Sequence, residues 1–370
     1  MDRAEAVAIR MNRLGLWHQQ AGTPEAVVDG LLAMQAQEFP YALWSVAQRI
    51  DRSVRPTAAE MGVSYDLGAI LRTHVLRPTW HFVTPSDARW LLTLTAPRVA
   101  QISRIYFQRA GLDTATLVRV TDAFSAAVAD GRHRTRAELR AALENVGIVL
   151  DNLGFTYAVM FAELERVLIS GVMLGRQRSY ADFDERVPPT FVAGSATFDR
   201  ENALAEIAAR YFATRGPASI ADMGAWSGLT LADCRRGLEV AIERDPGSLE
   251  RVEVEGTECW MPPSDARVLL APDQPRIDLL HAYDEYIMSY SRTRGVMQHP
   301  DFTAPGTPDT LLHAVLLDGT VAGTWKHTIT RAAATLEVRP LITLGTAEQA
   351  ALDRAAQDYG DYLRLPTSIA

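Results

Sequence analysis

The chain has 370 residues, 48% apolar and 22% charged, an ordinary globular composition with ample material for a core. No apolar run approaches the ~18 residues of a bilayer span, and the start, MDRAEAVAIRMNRLGLW, carries charges at helical spacing in place of a cleavable leader, so a cytoplasmic protein with no membrane partner is expected. The net charge of -8 excludes a uniformly basic coat for nucleic acid, and two cysteines, Cys234 and Cys259, without Cys-x-x-Cys or His-Glu-x-x-His, signal neither disulfides nor zinc; no metal and no cofactor is expected.

In chain order, residues 4 to 20 and 24 to 36 read as helices, the second with Thr23 as N-cap and Pro24 at its first position. Further helices are predicted from about Pro40 to Ile50 and from Thr57 to Gly68. ILRTHVLRPTWHFV then alternates β-branched and aromatic residues, which predicts a strand or hairpin over 70–83. Three helices and a hairpin make a winged-helix unit, assigned to residues 1–111 together with a long amphipathic helix from Ser86 to Ala110. A second unit, 112–200, has a capped helix in TRAELRAALENVG, a longer one in FTYAVMFAELERVLISGVM and a wing in GRQRSYADF. A third, 201–264, places helices in ARYFATRGPASIADMGAWSGLTLADCRRGLEVAI and a hairpin in LERVEVEGTECWM, turning at Glu255-Gly256.

From 265 to 370 the texture changes. VLLAPDQPRIDLLHAYDEYIMSY, HAVLLDGTVAGTWKHTIT and AATLEVRPLIT are strand-like, with a hairpin turn at Asp318-Gly319, and AEQAALDRAAQDYGDYLRL closes the chain as a helix. The expected fold class is mainly α with β: tandem winged-helix units plus a C-terminal β-barrel-like domain. Neither GxGxxG nor GxxxxGK[ST] occurs, so no dinucleotide or P-loop site is signalled.

Two features of the basic residues carry weight. From Arg72 to Arg109 stand six arginines against the single acid Asp87, a candidate phosphate-facing patch, although any one such helix arginine is more often simply solvated. Lys326 is the only lysine, which reflects base composition at least in part, and it leaves one side-chain candidate for any Schiff-base chemistry.

LLAMQAQEFPYALWSVAQRI, RPTWHF, LLHAYDEYIMSYSRTR and DGTVAGTWK, in this order, resemble the AlkZ/YcaQ-like family of winged-helix DNA glycosylases over nearly the whole chain. The resemblance implies a catalytic Gln-x-Gln pair at Gln35 and Gln37, with Ala36 between them smaller than the apolar residue usual in the family. It further implies self-resistance in bacteria that make DNA-alkylating antibiotics. The pair also makes chemical sense. An amide is a poor base, yet it orients water through its oxygen and donates through its NH2 group. A guanine alkylated at N7 is already cationic and leaves without protonation, so modest help suffices. Without the resemblance, both glutamines would read as the end of a helix.

Glu38 is the nearest carboxylate and the alternative water activator. If RPTWHFV is extended, Arg77, Thr79 and His81 share one face, with Arg77 toward phosphate and His81 toward the lesion; a hydrogen-bonded histidine inside the hairpin is an equal alternative. Arg176, Arg178 and Tyr180 read as wing contacts, with a solvated loop as the equal alternative, and Arg292 and Arg294 as a further phosphate clamp. Trp80, Trp226, Trp260 and Trp325 read as core, and Asp284-Glu285 as structural, pointing to opposite faces of a strand. The expected partner is double-stranded DNA containing an alkylated purine, met by a nucleoid-associated monomer. A non-catalytic winged-helix regulator, acting as a symmetric dimer, and a damage-recognising scaffold are the rival readings.

Overall fold

A computed structural model describes residues 1–175, 177–263, 271–299 and 313–370. Arg176 lies outside the described residues, as does part of the segment that opens the C-terminal region.

One connectivity occurs three times: a helix, a short extended piece, two helices and a hairpin whose second strand pairs with that short piece. In the first copy the helices are Pro24–Leu31, Phe39–Ala47 and Ala58–Asp66, and the sheet runs Met34–Gln35, Trp80–Val83, Leu71–His74, all antiparallel. In the second, Thr114–Val128, Arg136–Asn145 and Asn152–Leu164 accompany the order Arg134–Thr135, Gln177–Asp182, Leu168–Leu174. In the third, Arg200–Arg215, Ile220–Ser227 and Leu231–Arg244 precede the hairpin Glu250–Val254 and Thr257–Met261, and the short piece shrinks to a bridge between Ala218 and Trp260. The helix Pro85–Arg109 links the first copy to the second.

Local chemistry accounts for most boundaries. Capping boxes open Arg3–Arg13 (Asp2, Glu5), Ala58–Asp66 (Thr57, Glu60), Arg136–Asn145 (Thr135, Glu138) and Ile220–Ser227 (Ser219, Asp222). The first helix stops at Arg13, short of the expected residue 20, because Gly15 takes the left-handed conformation at φ +70°. The helix expected over 24–36 ends at Leu31: Leu32 sits at φ +65°, and Met34–Gln35 becomes an edge strand. FTYAVMFAELERVLISGVM likewise divides, its helix ending at Leu164 and Leu168–Leu174 forming a strand.

The C-terminal region is an open five-stranded sheet in the order Thr367–Ile369, Ala334–Pro340, Thr320–Ile329, Ala314–Leu317, Ile277–Leu279, parallel only at the first pair. Among the described residues its two outer strands are not bonded to each other, so this sheet is open. Asp318 and Gly319 turn its hairpin with φ +47° and +75°, as a two-residue turn requires. A Cβ on Gly319 would lie 2.4 Å from Val7 Cγ1, so the turn seats directly on the first helix. Asp284 and Glu285 are not in a strand: Asp284 caps the short helix Glu285–Met288. Buried apolar side chains from Ala6 to Tyr362 form one continuous core, which fixes the C-terminal region against the strand carrying Gln35. Among the described residues, no helix is long and apolar enough to cross a membrane.

Candidate active site

Gln35 is the buried member of the pair. Its strand is two residues long, and on its free side the backbone N–H donates to Glu285 Oε1 at 2.9 Å. Its side-chain Oε1 accepts from Arg77 Nη2 at 2.8 Å. Arg77 is held in turn by the carbonyls of Trp226 at 2.8 Å and Ala225 at 3.2 Å. The close approach of these segments needs a glycine: a Cβ on Gly228 would fall 2.2 Å from the Leu76 carbonyl oxygen.

Glu285 is saturated. Its Oε2 accepts from Arg215 Nη2 at 2.7 Å, Trp226 Nε1 at 2.8 Å and Ser289 Oγ at 3.2 Å. Burial alone would raise this carboxyl, but the Arg215 guanidinium and the hydrogen bonds from Arg215 and the Gln35 N–H hold it below the usual range. Arg215 also donates to the carbonyls of Leu31 and Ala33 at 2.9 and 3.0 Å, which terminates the preceding helix and sets the turn into the strand. A buried ion pair drawn from two distant segments therefore positions Gln35.

Gln37 faces the other way. It is exposed and makes no hydrogen bond among the described residues. Ala36 between them is fully buried, its N–H donating to Trp80 O at 2.7 Å and its carbonyl accepting from Arg72 Nε at 2.9 Å. Glu38 follows, half-buried, with Oε2 3.1 Å from His313 Nε2. The His313 imidazole keeps the Glu38 carboxyl below its ordinary value, outweighing burial.

His81 is the cross-strand neighbour of Gln35 and is fully buried, so it lies inside the hairpin and away from solvent. Its Nδ1 is 3.0 Å from Thr79 O and its Nε2 3.5 Å from Arg77 Nη2. Burial, reinforced by Arg77, pushes its pKa down to about 3, so the ring is neutral at physiological pH. Thr79 Oγ1 is buried without a partner.

The arginine patch divides. Arg72 is buried over the Trp80 ring at 4.2 Å, and Arg89 binds Asp184 and the Pro188 carbonyl. Arg77, partly buried, donates to the Gln35 amide oxygen and turns toward the third unit. Arg98, Arg104 and Arg109 remain exposed. Tyr180 is buried and part of the core, a correction to its expected wing contact; Arg178 is exposed, with its guanidinium 5.5 Å from the ring of Phe39, two residues after Gln37. Arg292 is exposed, and Arg294 is partly buried with Nε donating to Tyr290 O at 2.9 Å. Among the described residues no group of three or more His, Cys, Asp or Glu side chains is placed to hold a metal ion.

The family model for AlkZ-like DNA glycosylases matches residues 28–362, a span that contains this whole constellation. The chain belongs to the AlkZ-like DNA glycosylase family. Its fold is similar to that of Streptomyces sahachiroi DNA glycosylase AlkZ, with a TM-score of 0.74 over 100% of both chains at 21% identity. No curated protein sequence matches it. Within this AlkZ-like chain, Arg215, Glu285 and His313 escaped sequence reasoning as site residues. Only the adjacency of Asp284 and Glu285 in an apolar stretch marked one of them, as structural carboxylates.

Proposed function

We propose that this glycosylase is monofunctional and hydrolyses the N-glycosidic bond of bulky or crosslinking N7-alkylguanine adducts in duplex DNA, as self-resistance to a DNA-alkylating natural product. The observation that carries the reading is the contrast within the pair: Gln35 is buried with its amide oxygen on Arg77, and Gln37 is exposed with neither end of its amide bonded among the described residues. Gln35 is left with its NH2 group as a donor, and Gln37 can orient a water through its oxygen. Neither amide protonates a leaving base, which restricts the pair to a base that leaves as it stands, such as a cationic N7-alkylguanine. The exposure of Gln37 favours a site that meets the lesion on the duplex over one that closes around an extruded base.

The three repeated units are read as winged helices dividing the chain at 1–111, 112–200 and 201–264, with a β-rich region over 265–370. Such units set helices and wings against the duplex. Arg178, beside Phe39, is the cation best placed to meet phosphate near the lesion. The protein works as a cytoplasmic, nucleoid-associated monomer.

Lys326 supports a water-based mechanism. It pairs with Glu337 across the strands and is exposed, while its neighbours Trp325 and His327 point to the opposite face, toward Tyr41 and the catalytic loop. The test is incubation with a duplex carrying one bulky N7-alkylguanine. Release of the modified base with an abasic site is expected; tight binding without base release would return the chain to a non-catalytic DNA-binding role.

A further inference from the structure

Resting on the glycosylase reading above, we infer that Glu38 accepts the proton of the attacking water and that His313, from the C-terminal sheet, positions it. Hydrolysis requires such a group. Water oxygen bonds to C1′, the bond from C1′ to N9 breaks with its electron pair moving into the cationic base, and one water proton must leave. Neither Gln35 nor Gln37 can take it, since a carboxamide is too weak a base.

The other buried carboxylates nearby are excluded by their partners. Glu285 is occupied by four donors, and Asp284 is bound by Arg49, Ser45 and the Tyr286 N–H. Glu38 directly follows Gln37, is half-buried, and among the described residues forms one ion pair, with His313 at 3.1 Å. It opens the helix Phe39–Ala47 as N-cap without using its carboxylate to cap. Its carboxylate is thus left over from the helix and turned to the C-terminal sheet.

His313 carries two marks of a built position. Its backbone lies in the left-handed region at φ +54°, which histidine adopts more readily than most side chains, and its carbonyl is pinned by the Trp325 N–H at 2.9 Å. Its ring is tilted on Tyr41 with centroids 4.6 Å apart, while Nδ1 is buried with no hydrogen-bond partner among the described residues. That packing leaves Nε2 3.1 Å from Glu38 Oε2, within ion-pair distance but without the alignment of a hydrogen bond. The other groups facing Glu38 are His281, His327 and Tyr41. Burial pushes both His281 and His327 down to about 4, so they are neutral near physiological pH and their contribution to Glu38 is weak there. His327 is also committed, stacked on Tyr41 at 4.1 Å with Nδ1 2.6 Å from Tyr359 OH.

The experiment follows single-turnover excision of a bulky N7-alkylguanine from duplex DNA as a function of pH, with affinity measured in parallel, for wild type, Glu38→Gln and His313→Gln. Wild type should lose rate at low pH as Glu38 is protonated. Glu38→Gln should lower the rate about 10²-fold with little change in Kd and should remove that acid limb. His313→Gln should retain most of the plateau rate and move the acid limb to higher pH, because the group that holds Glu38 ionised is gone. A purely structural contact would lower the rate, if at all, without moving the limb. Wild-type excision combined with a full rate in Glu38→Gln, or with an unmoved limb in His313→Gln, overturns this inference alone; a wild type that releases no base overturns the glycosylase reading and this inference with it.

Discussion

Gln35 and Glu285, 250 residues apart in the chain, are joined by a 2.9 Å hydrogen bond from the Gln35 N–H to Glu285 Oε1. This contact places the strand that carries Gln35 under the control of a carboxylate that is itself buried against Arg215, and several outcomes depend on it.

Glu285→Gln would leave the Arg215 guanidinium buried without a counter-charge. Removing one partner of such a pair costs about 3–5 kcal/mol. Chemical denaturation should register a loss of that order, and excision should fall as well, because the turn that presents Gln35 is fastened by Arg215 to Leu31 and Ala33. A variant as stable as wild type would remove the pair from the account.

Arg77→Ala should act on rate. Its guanidinium serves the Gln35 amide and two carbonyls of the third unit, so the salt dependence of DNA binding should be unchanged while single-turnover excision drops. Arg178→Ala should do the reverse, lowering the slope of log K against log salt by about one. Binding measured at three or more salt concentrations separates the two, and a lowered slope for Arg77→Ala would restore it to the phosphate-binding surface.

Asp284 gives a pH signature. Burial alone would raise its carboxyl, but the Arg49 guanidinium, with hydrogen bonds from Arg49 and Ser45, holds it down to about 2 against an ordinary 3.8. A depressed carboxyl contributes stability that is present above its unfolded value and lost as pH falls through its folded one, here between about pH 4 and pH 2. Urea midpoints should therefore find Asp284→Asn less stable than wild type near neutrality, with the gap narrowing on acidification through that window. A gap independent of pH would contradict the assignment.

Lys326→Ala should leave the product unchanged. Borohydride should trap no protein-DNA adduct from wild type, and strand breaks should need alkali or an added endonuclease, because a Schiff base requires an amine beside the sugar. A trapped adduct that disappears in Lys326→Ala would move the chemistry to the C-terminal sheet.

Much of this architecture is legible in the sequence where local chemistry decides. The Thr135–Glu138 capping box, the Pro24 helix start and the Glu255-Gly256 and Asp318-Gly319 turns lie where their residues predict. What is not legible depends on distant partners. The helix over 24–36 has good periodicity, yet Arg215 takes its terminal carbonyl and Glu285 takes the Gln35 N–H, so the chain leaves the helix and makes a strand. Arg72, Arg77 and Tyr180 sit in segments that look solvent-facing, but buried carbonyls, the Gln35 amide and the core claim them. His313 stands next to no residue of chemical interest in the sequence; only folding brings it to Glu38.

The most direct test of the central claim is single-turnover excision by Gln37→Ala on a duplex with one bulky N7-alkylguanine, measured beside its affinity for the same duplex. Gln37 is exposed and has no partner to lose among the described residues, so the substitution should leave stability and Kd nearly unchanged. An oriented water contributes mainly to the transition state, so the rate should fall by about 10²-fold. Excision at the wild-type rate would contradict the account.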